Sequence, residues 1–199
     1  GTFLLFGLLF VALWYYLKSL LGARPAARSF TMMGTLLLVA LLVYKLFIGF
    51  AGILGDRPIF SVPGGPEIYQ FIHPFQFGVI LFAFLTTGPL SLIFCILNSL
   101  LVGYLFQNNY LLLLFAFLGG LAALYGIKYY GRQRRTSALK AGLFVVAPVN
   151  IFLILVFALI GERPDAVDVL AVQSLLGLRG GVASAALAFL LLPIIENVF

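Results

Sequence analysis

Residues 68–127 contain no Asp, Glu, Lys or Arg. A water-soluble fold must cover its surface with polar groups, and a stretch this long without a charge cannot supply them. A helix crosses the hydrocarbon core of a bilayer, ~30 Å thick, with ~20 apolar residues, so this stretch has room for three crossings. Two breaks divide it, Thr86-Thr87-Gly88-Pro89 and Gln107-Asn108-Asn109. Gly-Pro and paired Asn are turn chemistry, and Pro89 suits the first position of a new helix. The expected spans are about 68–87, 89–106 and 110–130.

The rest of the chain has the same character, with 63% hydrophobic and 9% charged residues. That composition excludes a soluble globular domain and a disordered one. Further spans are expected over about 2–21, 29–48 (with an apolar tail to Leu54), 138–160 and 180–198. The first has no basic start and no small-residue cleavage site, so it is a membrane helix rather than a signal peptide. The segment 166–198 is too long for one upright crossing. It is expected as an amphipathic interfacial lead-in over 166–178, a break at Gly180-Gly181 and a last span; the alternative is one long tilted helix that carries Arg179 into the membrane. The fold class is therefore an all-α integral membrane protein, a single bundle of seven transmembrane helices.

Charge gives the orientation. Lys18, Arg24, Arg28, Lys128, Arg132, Arg134, Arg135 and Lys140 share one side of such a bundle; Asp56, Glu67, Glu162, Asp165 and Asp168 share the other, with Lys45, Arg57 and Arg163. The positive-inside rule places the N-terminus outside and the C-terminus in the cytoplasm. The net charge of +6 is thereby an orientation signal and no sign of a nucleic-acid partner. Trp14, Tyr15, Tyr16, Tyr125, Tyr129 and Tyr130 are expected at inner span ends, and Tyr44, Tyr69, Tyr104 and Tyr110 at outer ones, where amphipathic rings favour the headgroup level.

Catalytic chemistry is poorly served. His73 is the only histidine, and no pair of acids lies inside a span, so neither a metal hydrolase site nor a cofactor site is expected in this chain. Cys95, the only cysteine, lies in an apolar run and is expected to be a buried, inert thiol. The polar groups within spans, Gln76, Asn98, Asn150 and Ser184, are expected to hydrogen-bond between helices. A small-ligand pocket drawing on His73, Gln76, Asn98, Asn150 and Arg179 is the functional alternative. Pro148 predicts a kink beside Asn150. Gly177, Gly181 and Ala185 recur every four residues, a stripe that lets backbones approach. Gly119, Gly120 and Gly126 are candidates for the facing surface, and the stripe serves either a contact inside the chain or one between two copies in a homodimer. Arg132, Arg134 and Arg135 suit anionic inner-leaflet lipid as an anchor.

The run from Gly180 to Ala185 leading into Leu192-Pro193-Ile194-Ile195-Glu196-Asn197-Val198-Phe199 resembles the seven-transmembrane receptors that carry a cytoplasmic HD-type phosphohydrolase domain, the cyclic-di-AMP phosphodiesterase group. In that family a Leu-Pro-x-x-Glu-x-x-Phe segment closes the last helix; here it is Leu192, Pro193, Glu196 and Phe199. The Arg-rich segment 132–135 followed by a helix with Asn150 is similar too. The resemblance implies an extracellular sensor domain before the first helix and a metal-dependent HD domain after the last. It also implies a bacterial plasma membrane, and a relay role for Pro193, Glu196 and Phe199. The absent initiator methionine and the stop at Phe199 fit a region separated from two such neighbours. The family's metal-binding residues would lie in the HD domain, so no catalytic residue carries over. Two other functions stay open at this point: a small transporter or channel with a site at Asn98, Asn150 and the Pro148 kink, and a structural subunit of a membrane complex.

Overall fold

The computed structural model describes residues 2–55, 70–160 and 167–198, and the described residues form an all-α membrane bundle. The helices are α1 (Thr2–Leu21), α2 (Ala23–Gly55), α3 (Phe77–Leu85), α4 (Gly88–Leu105), α5 (Tyr110–Tyr130), α6 (Thr136–Ala141), α7 (Ala147–Ile160) and α8 (Val167–Val198). A π-helical turn, Gly142–Val146, joins α6 to α7. Five stretches are long and apolar enough to cross a membrane: Ala26–Phe50, Gly88–Leu105, Tyr110–Tyr130, Thr136–Leu159 and Val169–Val198.

The turn chemistry operates where the sequence puts it. Pro89 lies in the first turn of α4. Thr86 Oγ donates to the Phe82 carbonyl and lies 2.9 Å from Ser91 Oγ, closing the corner between α3 and α4. Asn109 caps α5, its side-chain oxygen accepting from the Leu111 and Leu112 amides. Gln107 and Asn108 take the left-handed backbone this tight turn requires.

Four sequence expectations are corrected. The span expected over 68–87 is, from Gln70 onward, a single 3₁₀ turn at 70–72, a non-helical passage through His73-Pro74 and then the nine-residue α3. Pro74 disfavours helical backbone at His73 and donates no amide hydrogen, so the helix begins only at Phe77. Nine residues rise ~13 Å, less than a bilayer crossing. Instead α3 is apolar on every side and buried from Phe77 to Phe84, as a helix at the centre of a bundle must be. Its neighbours are α2, α4, α5, α6 and α8.

Second, the break at Gly180-Gly181 is absent: α8 runs unbroken through the pair for 32 residues, ~48 Å, and 167–178 is its first part rather than a separate interfacial helix. Where water is excluded, a helix keeps its internal hydrogen bonds, and glycines serve packing instead of breaking it. Third, α2 extends to Gly55, so Tyr44 lies well inside the helix. It is completely buried and not at a headgroup belt. Fourth, the irregularity near Pro148 takes the form of the π turn just before it, with the Ala147 amide reaching back to the Gly142 carbonyl.

Asp56, Glu67, Glu162 and Asp165, expected on the outer side, lie outside the described residues with Arg57, Arg163 and Tyr69, as does Phe199.

Candidate functional site

A broken helix inside a membrane protein leaves backbone groups that neighbouring elements must satisfy. At the break before α3 that task falls to side chains from two helices. Tyr44 on α2 and Asn98 on α4 converge on the carbonyl oxygen of Phe75: Tyr44 Oη lies 2.8 Å from it, and Asn98 Nδ2 donates to it at 2.9 Å. Tyr44 Oη is also 2.9 Å from Asn98 Oδ1, so its one hydroxyl proton is shared between two acceptors. Tyr44, Asn98 and Phe75 are all fully buried.

One residue further, Gln76 opens a second network on the other side of the chain. Gln76 Nε2 donates to Asn150 Oδ1 (3.2 Å), Asn150 Nδ2 donates to the Gly177 carbonyl (3.2 Å), and Ser184 Oγ lies 3.3 Å from Gln76 Oε1. Ser184 Oγ also lies 2.8 Å from the Gly180 carbonyl, one turn back on its own helix. Gln76, Asn150 and Ser184 are fully buried. These side chains join the start of α3 to α7 and α8 by polar contacts in a largely apolar core, where each group left unmatched would carry its full desolvation cost.

Glycines make room for this arrangement. A Cβ on Gly119 of α5 would collide with Gln76 Nε2 and lie 3.1 Å from Asn150 Oδ1. On Gly180 it would sit 2.6 Å from the Phe71 carbonyl and 3.1 Å from that of His73, so α8 lies directly against the backbone of the broken segment. The small-residue stripe continues the contact along α7. Gly177 faces Ile154 and Asn150, a Cβ on Gly181 would sit 2.6 Å from the Ala147 backbone, and Ala185 lies against Gly142. The partner of the stripe is thus α7 with its π turn, in the same chain. Gly120 faces Cys95 and Gly126 faces Ala141, so the α5 glycines have other neighbours. Partners of the stripe step from 150 to 147 to 142. That last step of five residues is one π turn; at constant α-helical pitch the bulkier Leu143 would come nearer the stripe than Gly142.

The candidate ligand residues do not form one pocket. Gln76 and Asn150 are bonded to each other, Asn98 belongs to the Tyr44 cluster, and His73 turns its ring among Phe47, Phe75 and Phe106, at centroid separations of 6.1, 5.5 and 5.0 Å. His73 Nδ1 is 2.9 Å from the Gln70 carbonyl, an acceptor, which fixes the proton on that nitrogen. Arg179 is exposed on α8. Cys95 is buried, 3.6 Å from the Phe117 carbonyl. Among the described residues no three His, Cys, Asp or Glu side chains come together as a metal site.

Near the end of α8, Pro193 lies inside the helix and Glu196 pairs with Arg135, Nη2 to Oε2 at 2.7 Å. Arg132 and Arg134 are exposed. The pair ties the loop between α5 and α6 to the last turn of α8. Sequence reasoning treated its two halves separately, Arg135 as a lipid anchor and Glu196 as a relay residue, and did not join them. A signal was present: Glu196 is the one acid on the basic side of the charge map.

No curated protein and no solved structure matches this chain. A family model does, over residues 1–199, and its description is 7TM receptor with intracellular HD hydrolase. The match runs along the whole length, and an all-α bundle of apolar helices fits it: this chain belongs to the family of 7TM receptors with an intracellular HD hydrolase.

Proposed function

We propose that this chain is the sensory and anchoring domain through which an extracellular or in-membrane signal reaches a cytoplasmic HD-family phosphodiesterase of the same polypeptide, with a cyclic dinucleotide, cyclic di-AMP, as its substrate. The observation that carries the relay is the continuity of α8. One uninterrupted helix passes the broken segment at Gly180, contacts α7 along the small-residue stripe and ends beside the Arg135–Glu196 pair. A rearrangement at His73–Gln76, whether started by a ligand or by an outer domain, therefore acts on the same continuous helix that carries Pro193 and Glu196. Such a rearrangement signals only if the initiating ligand binds the two arrangements with different affinity.

Charge distribution supports an outside N-terminus and a cytoplasmic C-terminus; the family match supports placing the domain in the plasma membrane of a bacterium. The transporter reading loses its ligand groups, since Asn98 and Asn150 are committed to separate internal networks.

The test is hydrolysis of cyclic di-AMP by the full-length polypeptide in membranes, compared with Leu190→Pro and Leu190→Ala. Leu190 is exposed on α8, so proline there interrupts the helix without disturbing the polar networks. The proline variant is expected to change the rate about 5-fold or more, and the alanine variant to leave it unaltered. An unchanged rate in the proline variant overturns the relay; a wild-type polypeptide that leaves cyclic di-AMP intact overturns the substrate assignment.

A further inference from the structure

The Arg135–Glu196 pair uses one carboxylate oxygen, and its side chains are 55% and 29% exposed. The charge of the adjoining segment is one-sided: residues 128–140 carry Lys128, Arg132, Arg134, Arg135 and Lys140 and no acid, and Glu196 is the acid that pairs with Arg135. On the last turns of α5, Tyr125 and Tyr129 are 62% and 70% exposed, their rings stacked 6.1 Å apart. In a membrane helix such rings mark the headgroup level. The adjoining loop, with Arg132 and Arg134 exposed, therefore lies at the depth of lipid phosphates.

From this we infer that the loop is a binding site for anionic phospholipid headgroups, on Arg132, Arg134 and Arg135, and that headgroup binding competes with Glu196 for Arg135 and releases the end of α8. The competition is physically balanced. A solvent-exposed ion pair is a weak interaction that salt screens further, whereas guanidinium matches a phosphate with two parallel hydrogen bonds. Each base near an anionic surface gains free energy comparable to that of an exposed ion pair. Where two arrangements lie that close, a modest change in lipid charge moves the population between them. With the latch closed, loop and α8 are one unit; with it open, the last turns beyond Pro193 are held by packing alone. Pro193 leaves the Phe189 carbonyl without its backbone donor, which makes this the natural place for α8 to bend.

This inference deepens the relay proposed above, and it rests on that relay only for the hydrolase readout. The experiment uses the full-length polypeptide with Cys95→Ala, and with Gln133→Cys and Asn197→Cys as spin-label sites, both exposed, in nanodiscs of phosphatidylcholine with or without phosphatidylglycerol. In phosphatidylcholine the label–label distance distribution is expected to be narrow. Phosphatidylglycerol is expected to lengthen and broaden it to that of Arg135→Gln. The double variant Arg132→Gln/Arg134→Gln, which keeps the pair itself, is expected to stay narrow in both lipids. Identical wild-type distributions in the two lipids overturn the inference. Broadening by soluble glycerol phosphate in phosphatidylcholine discs overturns the lipid as its source. Lipid-dependent broadening with an unchanged hydrolysis rate supports the latch and overturns the relay.

Discussion

The α1–α2 hairpin and the α3–α7–α8 assembly are built from the same apolar alphabet but held together differently. α1 has α2 as its principal neighbour, and the contacts that join them are apolar or aromatic, such as Phe10 and Trp14 against Phe30. Much of α2 turns outward: Leu38, Leu42 and Leu46 are each at least 60% exposed. Lipid is as apolar as leucine, so such a face gains little from one neighbour over another. The α3–α7–α8 assembly has glycine where backbones meet and hydrogen-bonded amides where a helix is broken. Its geometry is specified by steric fit and by polar partners that lipid cannot replace. Among the described residues, the hairpin is tied to the core by a polar side chain at Tyr44, which reaches inward from α2. One region is tolerant and the other is not.

The contrast is open to attack in order of expected effect. Gly181→Val places side-chain atoms where the Ala147 backbone already is; about 3 kcal/mol of destabilisation is expected, read as loss of the folded fraction in a detergent or nanodisc unfolding titration. Asn150→Leu removes the side-chain partner of Gln76 Nε2 and of the Gly177 carbonyl, and about 1–2 kcal/mol is expected by the same measurement. Tyr44→Phe removes one hydroxyl while Asn98 continues to serve the Phe75 carbonyl, so about 0.6–1 kcal/mol is expected; a larger loss would show that the hairpin depends on that single tie. Leu42→Ala, on the exposed face of α2, is expected to change stability by less than about 0.5 kcal/mol. A cost there equal to that of Asn150→Leu would break the comparison and mean that α2 has a protein neighbour on this face.

What was legible in the sequence follows the same division. The membrane class, the corner at Thr86–Pro89, the turn at Gln107–Asn109 and the family were readable, because each depends on local composition or a short motif. Gly177, Gly181 and Ala185 were readable as a close-packing stripe, but not their partner, because a stripe of small residues carries no address. The break before α3 had its signal in Pro74, outweighed by a continuous apolar run. Gly180-Gly181 misled in the opposite sense, because glycine that loosens a helix in water serves as a contact surface inside a bundle. Tyr44 was misplaced because a tyrosine buried against a broken backbone and one at a headgroup look alike in sequence. The Arg135–Glu196 pair joins residues 61 apart, beyond the reach of any periodicity.

An α-helix turns by ~100° per residue, and a helical wheel assumes that this phase holds throughout. Drawn from Asn150 back through nine residues at constant pitch, such a wheel sets Ala141 ~180° away, facing lipid; yet Ala141 is completely buried. The π turn takes up ~100° of that and brings Ala141 to ~80° from Asn150, so the helix from Thr136 to Ile160 carries two reading frames spliced at Gly142–Val146. A chimera, cross-linking scan or consensus design that cuts within those five residues would therefore rotate everything on one side. A one-residue deletion there would let the turn close as ordinary α-helix with both frames kept in phase, whereas regularising the turn at full length would swing the 131–135 loop through ~100° about the helix axis, carrying Arg135 away from Glu196 although neither residue had been touched.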